Sequence, residues 1–175
     1  MVDFQWINVF RNKDAKSSLR EKLHQNILFK DLRAGELRFL ENIVNLRSYR
    51  PGEVIFRQGE VGVGMYIILS GHVNIQVEEI QTGTLQPKSS HVTVLKAGEF
   101  FGELALVEEE GRRSATASAQ NEAQLIGFYK PDLIEIIERS PSAGVKILMR
   151  LGEVLGVRLR QTTARITELK TENLQ

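Results

Sequence analysis

Phe100-Phe101-Gly102-Glu103-Leu104-Ala105-Leu106-Val107-Glu108-Glu109-Glu110-Gly111-Arg112-Arg113-Ser114-Ala115-Thr116 is the most informative stretch of the chain. Gly98 and Gly102 permit a tight backbone turn, because no Cβ opposes a positive φ. Glu103 to Leu106 then predicts a single helical turn. The first N–H groups of such a turn have no intrahelical partner and face an anion well. Glu103 offers a carboxylate that accepts hydrogen bonds from hydroxyls. Arg113 offers a forked cation that suits a phosphate. Ser114 adds a hydroxyl, and its neighbours add backbone N–H groups. Taken singly, each residue has a plain reading. A first-turn glutamate complements the helix dipole, a lone arginine is a solvated charge, and the glycines are turns. Their order within one strand-rich segment points instead to a ligand that carries a phosphate and a sugar hydroxyl.

The sequence on both sides of this stretch is strand-like. Val54, Ile55 and Phe56 form one apolar run and Met65 to Leu69 another. Val73, Ile75 and Val77 alternate with polar residues, Val92 and Val94 follow, and Leu125, Ile126 and Phe128 come after the stretch. Gly52, Gly59, Gly71 and Gly98 punctuate these runs. Short strands at this spacing predict a β-sandwich or barrel. Residues 81–91 are polar, with Gly83 and Pro87, and read as a long, mobile hairpin loop. Helices flank the strands. Residues 15–46 carry Leu19, Leu23, Ile27, Leu28 and Leu32, then Leu37, Leu40, Val44 and Leu46, at helical spacing, with Gly35 marking a break. After Lys130 the helical period returns. Pro131 suits a first turn, Leu133, Ile134, Ile136 and Ile137 fill a short helix, and Pro141 opens a helix that runs nearly to the end. Its heptad positions read Leu148, Leu155, Thr162, Leu169 and Gly152, Leu159, Ile166, Asn173. This is a coiled-coil stripe with polar interruptions, and it predicts a homodimer. The alternative is a helix packed on its own domain.

Composition narrows the function. The chain has 175 residues, 23 Lys plus Arg against 22 Asp plus Glu, and a net charge of +1. No bulk attraction to DNA or membrane follows from that balance. Cysteine is absent, so disulfides and thiolate metal sites are excluded, in keeping with a cytoplasmic location. The only histidines, His24, His72 and His91, are scattered. A metal enzyme built on strands needs a cluster of His and carboxylates, so no metal is expected. No Ser-His-Asp motif is present either, and no enzyme activity is expected. The first residues lack the features of a signal peptide, and no stretch is long enough to span a membrane. Phe4, Trp6, Ile7, Val9 and Phe10 form an apolar cluster that either packs on the domain or docks a partner or a membrane surface; the lack of a basic face favours packing.

Phe101-Gly102-Glu103-Leu104-Ala105-Leu106, followed by Arg113-Ser114-Ala115-Thr116, resembles the phosphate-binding cassette of cyclic-nucleotide-binding domains. Pro51-Gly52-Glu53-Val54-Ile55-Phe56-Arg57-Gln58-Gly59-Glu60 and Met65-Tyr66-Ile67-Ile68-Leu69-Ser70-Gly71 match the family's upstream strands. The resemblance implies a mainly β fold: an eight-stranded, jelly-roll-like β-roll with N-terminal helices and a long C-terminal helix. It divides the chain into an N-terminal helical or docking segment (1–27), the binding domain (28–140) and a dimerisation helix (141–175). It assigns Glu103 to a ribose hydroxyl and Arg113 to the phosphate. Phe101, Gly102, Leu104, Ala105, Ser114 and Ala115 complete the cassette contacts.

Arg158-Leu159, Thr162-Thr163, Arg165-Ile166 and Leu169 resemble the dimer helix of the bacterial cAMP-receptor regulators. There the pair at Thr162 and Thr163 would meet the base. The implied ligand is cAMP, with cGMP possible. The implied role is a sensor that signals through a downstream protein. Those regulators continue into a helix-turn-helix domain and this chain stops at Gln175, so DNA binding is not expected of it. Two departures stand out. The cassette loop is one residue longer than the common form, with three glutamates in it, and Arg112 replaces a usual proline. Either Arg112 or Arg113 could then face the phosphate, and the spacing to Ala115-Thr116 favours Arg113. The glutamates leave open a second function, an interaction protein with the same fold and a decayed site.

Overall fold

The computed structural model describes residues 13–80 and 87–172. In chain order they form α1 (Lys13–Gln25), α2 (Ala34–Ile43), β1 (Asn45–Tyr49), β2 (Val54–Phe56), β3 (Gly64–Ser70), β4 (His72–Ile80), β5 (Pro87–Lys96) and β6 (Phe100–Phe101). A 3-10 turn (Glu103–Leu106), β7 (Thr116–Ala119), β8 (Ala123–Tyr129), α3 (Lys130–Arg139) and α4 (Pro141–Glu172) follow. The strands make two antiparallel four-stranded sheets, ordered β1-β8-β3-β6 and β2-β7-β4-β5. This is the β-roll implied by the resemblance, with its N-terminal helices and long C-terminal helix.

The apolar run Met65–Leu69 in β3 is continuous because its sheet is covered on both faces. Met65 and Ile67 point into a core shared with the helices, which also buries Leu19, Leu23, Phe29, Leu40, Phe128, Ile136, Ile147 and Leu151. Tyr66 and Ile68 point the other way, into a core between the sheets with Val73, Phe101, Ala117, Ala119 and Leu125. The small side chains of β7 let the sheets close over the aromatic residues. Pro131 sits in the first turn of α3, as its fixed φ favours.

Three details differ from the sequence expectation. Asn45–Tyr49, including Leu46, is strand β1 and not helix; it pairs with β8, with Leu46 opposite Ile126. Gly35 lies inside the first turn of α2. The helical break is upstream, where the buried Asn26 accepts from the Leu28 amide through Oδ1 (3.0 Å) and donates to the Gly98 carbonyl (3.1 Å). A side chain that binds nearby backbone competes with continued helix. Residues 87–91, read as loop, belong to β5 and pair with Gln76–Ile80 of β4. Ladder hydrogen bonds are made by the backbone, so a polar segment can enter a hairpin without an apolar stripe. Residues 81–86 and the apolar cluster Phe4–Phe10 lie outside the described residues.

α4 has two halves. Ala143, Ile147 and Leu151 are buried on the domain. Lys146 Nζ pairs with Glu36 (2.7 Å) and Arg150 Nε with Asp31 (2.5 Å), clipping the helix to α2 and to the turn before it. Of the heptad positions, Leu155 packs partly on its own core. Further along, Leu159, Ile166 and Leu169 are exposed.

Candidate functional site

The register of the cassette loop is set by the segment that precedes β3. Gly59 N donates to Arg113 O (2.8 Å), Arg113 N to Glu60 O (2.8 Å) and Gly62 N to Gly111 O (2.8 Å). Val61 bridges Arg112. Neighbouring residues of an extended segment point to opposite sides. Arg112 therefore faces solvent, where Nη1 donates to Gly59 O (2.8 Å), and Arg113 turns inward to 8 % exposure. Glu108–Glu110 are exposed, and Glu110 adopts a positive φ of 54°.

Arg113 is held by the chain's own backbone carbonyls and an aromatic ring. Its Nη1 donates to Gly102 O (3.1 Å) and its Nη2 to Gly64 O (2.7 Å). The guanidinium carbon lies 4.0 Å from the centroid of Phe56. That aromatic face supports the charge without using its hydrogen-bonding edge. Nε is buried and has no partner among the described residues. A guanidinium has five N–H groups, so donors remain after both carbonyls are served. Burial pushes the group down from the ordinary arginine value, against the opposing influence of Tyr66, Glu60, Tyr129 and Glu103. Arginine starts so high that it remains a cation at neutral pH. Gly102 has φ 74°, and a Cβ there would lie 2.4 Å from Arg113 Nη1. The glycine thus supplies both the left-handed turn and the room for the arginine.

Glu103 opens the 3-10 turn and is 7 % exposed. Its Oε1 accepts from Arg158 Nη1 of α4, and Arg158 Nη2 also donates to Phe100 O (3.0 Å). The Arg158 guanidinium lies 4.8 Å from the Phe100 ring centroid. A carboxylate has about four acceptor positions on two oxygens, so this pairing leaves capacity for a sugar hydroxyl. Arg158 is a site residue that sequence reading did not single out for contact with Glu103. The sequence signal for it was its place in the stretch that resembles the dimer helix, four residues before Thr162.

The remaining expected residues fall as follows. Phe101 and Ala105 are buried, Leu104 and Ser114 are exposed, and Ala115 is half-buried two residues after Arg113. Thr162 and Thr163 are exposed on α4, and each hydroxyl donates to the carbonyl four residues back, Arg158 O and Leu159 O (2.9 Å each). Residues four apart share a helix face, so Thr162 lies on the side from which Arg158 reaches the cassette. The cassette residues come together in one place, whereas the two threonines stand on the helix beyond Arg158. Among the described residues no group of His, Cys, Asp or Glu is placed to hold a metal, and no helix is long and apolar enough to cross a membrane.

The β-roll thus carries a left-handed glycine and a buried carboxylate on one short turn, with a buried arginine brought against them from the loop that follows. The family profile described as cyclic nucleotide-binding domain matches residues 46–140, and the chain belongs to that family. The cyclic AMP receptor protein of Thermus thermophilus is 30 % identical over 145 residues, covering 83 % of this chain and 62 % of that protein. The crystal structure of the Thermus thermophilus catabolite activator protein superposes with TM-score 0.71 at 29 % identity, over 83 % of this chain and 63 % of that one. The regulatory domain of Toxoplasma gondii PKA, crystallised with cAMP, superposes with TM-score 0.61 at 25 % identity, over 72 % of this chain and 46 % of that one. The chain spans from 17 % to 62 % of the length of curated relatives it matches.

Proposed function

We propose that this chain is the sensor part of a cyclic-nucleotide-responsive protein, that its preferred ligand is cAMP, and that it acts by binding and not by catalysis. One observation carries the reading. Arg113 is buried in the cassette and anchored on two carbonyls, with its Nε still unpartnered. Burying an arginine among carbonyls costs desolvation, and a cyclic phosphate would offset that cost. Ribose hydroxyls would donate to Glu103. Both Thr162 and Thr163 use their hydroxyl proton on the helix backbone. What they then offer a base is a lone pair; facing the purine 6-position, it accepts from the amino group of adenine and repels the carbonyl of guanine, whose own donors, N1–H and the 2-amino group, lie further round the ring. That favours cAMP over cGMP. It also fits the Thermus thermophilus relative, a cyclic AMP receptor protein, and the ligand in the Toxoplasma gondii structure.

In this reading α4 is the output. Val145, Met149, Leu159, Ile166 and Leu169 leave an apolar stripe along it, which suits a parallel homodimer. The signal then passes to a downstream protein in the cytoplasm. A net charge of +1 gives these residues no general affinity for DNA. The competing reading is a scaffold with a decayed site. In its favour, Glu103 is already engaged by Arg158 and three exposed glutamates border the cassette. Titration with cAMP, cGMP and a cyclic dinucleotide separates the two. Saturable binding of a cyclic mononucleotide supports the sensor, and no binding of any of them supports the scaffold.

A further inference from the structure

Three turns of the roll share one sequence pattern and one geometry: Arg50-Pro51-Gly52-Glu53, Arg57-Gln58-Gly59-Glu60 and Lys96-Ala97-Gly98-Glu99. Each runs from a basic residue through a spacer and a glycine to a glutamate. The glycines take φ of 79°, 83° and 89°, a region that a Cβ disfavours. Each glutamate amide donates to the carbonyl of the basic residue (3.0, 3.2 and 3.0 Å). Each glutamate Oε2 accepts from the amide of that same basic residue (2.8, 3.0 and 2.8 Å). The carboxylate thus joins the two ends of its own turn a second time.

Each closed turn grips one residue of another segment by both backbone groups. Gly52 N donates to Ala119 O (2.7 Å) and Ala119 N to Glu53 O (2.9 Å). Gly98 N donates to Ile68 O (2.8 Å) and Ile68 N to Glu99 O (2.9 Å). Ala119 and Ile68 are buried strand residues, so these two turns serve the fold. The residue that the middle turn grips in the same way, through Gly59 N and Glu60 O, is Arg113. That turn is itself fastened on two further sides by Gln58. The Gln58 amide donates to Thr116 Oγ1 (3.0 Å), its Oε1 accepts from Glu78 N (2.7 Å) and its Nε2 donates to Glu78 O (3.3 Å). A device that elsewhere pins core strands here pins the cation of the cassette.

We infer that Glu60 is a positioning residue for Arg113: its carboxylate closes the turn that fixes which arginine faces inward. The inference rests on the reading that a cyclic nucleotide binds at Arg113. Glu60 acts through the backbone of its own turn and of Arg113. Slipping an extended segment by one residue exchanges its two faces. Here that exchange would bring Arg112 inward and turn Arg113 out, so the grip bears on affinity as well as on stability.

Titration with cAMP and cGMP, with calorimetry beside it, tests this on variants of the full chain. Glu60→Ala loses one hydrogen bond to a carboxylate and should weaken nucleotide binding by about threefold to tenfold. Glu60→Gln, whose amide oxygen can still accept from Arg57 N, should bind like the wild type. Glu53→Ala opens the matching turn over Ala119; it should lower Tm as Glu60→Ala does and leave affinity unchanged. Gly59→Ala opens the middle turn by a second route, since a Cβ there meets nothing within 4 Å but φ is 83°. It should weaken binding too, and Gly52→Ala should not. Without nucleotide, hydrogen–deuterium exchange at 111–114 should rise in Glu60→Ala and stay at the wild-type level in Glu53→Ala. Wild-type affinity in Glu60→Ala, or an equal loss in Glu53→Ala, would overturn the positioning role while the binding reading stands. Binding as weak in Glu60→Gln as in Glu60→Ala would show that closure of the turn is not the cause. If the wild type binds neither nucleotide, the binding reading falls, and exchange at 111–114 still decides whether Glu60 holds Arg113.

Discussion

Replacing Arg158 with methionine isolates the one polar tie between the far half of α4 and the cassette. Among the described side-chain hydrogen bonds and ion pairs, Arg158 is the last residue of α4 that reaches another element. Methionine keeps an unbranched stem against Phe100 and removes the charge. Glu103 then loses its cation while its side chain is only 9 % exposed, whereas the Arg158 side chain is 41 % exposed. An exposed pair is worth about 0–1 kcal/mol, and breaking a buried one costs about 3–5 kcal/mol. The half-wet geometry, discounted for screening, puts the loss at about 1–2 kcal/mol. For a chain of this size each kcal/mol lowers Tm by about 2–4 °C, so a fall of about 2–8 °C is expected by calorimetry. Faster amide exchange beyond Gly156 should accompany it. Glu103→Gln should destabilise the wild type more than it destabilises the methionine variant, because the pair is already broken there. An unchanged Tm with purely additive mutants would refute the pairing and the idea that α4 reads the cassette through it.

Other outcomes follow from the same contacts. Arg112→Ala should leave nucleotide affinity unchanged in a binding titration, since Arg112 faces solvent; a large loss there would reverse the register assigned to the loop. Changing Thr162 and Thr163 together to Val should shrink the cAMP-to-cGMP affinity ratio by an amount of order 0.5–1.5 kcal/mol, and an unchanged ratio would show that the helix does not read the base. Sedimentation at micromolar concentration should show a dimer, and a monomer with and without cAMP would contradict the apolar stripe on α4. At Glu36, burial pushes the carboxyl up, but hydrogen bonds from Lys146 and the Arg33 amide, with the Lys146 charge, outweigh it and hold the carboxyl below its usual 4.5. A lowered carboxyl stabilises fully above its unfolded value and loses that contribution as pH falls through the folded one. An acid titration of Tm should therefore show Glu36→Gln closing on the wild type only below the ordinary glutamate range, and parallel curves would contradict the clip.

Much of the site was legible because its residues lie close together in the chain. Gly102, Glu103 and Arg113 sit on one turn and one short loop, and local geometry forces them together. The register of Arg113 over Arg112 was not fully legible. It is settled by Glu60 and Gly62, about fifty residues upstream, whose hydrogen bonds fix which arginine turns inward. Arg158 was harder still, since its approach to Glu103 depends on how α4 lies across the domain. In the fold, β3 and β8 were visible as dense apolar runs. β1 was not, because Leu46 continued a helical period by chance and only pairing with β8 makes it strand. The polar half of β5 was missed for the opposite reason, since its ladder with β4 needs no apolar pattern.

Isothermal titration with cAMP, run on the wild type and on Arg113→Ala, tests the central claim most directly. The account predicts saturable binding to the wild type and a loss of about 2–5 kcal/mol in the variant, the cost of removing one partner of a desolvated charge pair. Equal affinity in the two proteins, or no heat of binding in the wild type with either cAMP or cGMP, would contradict it.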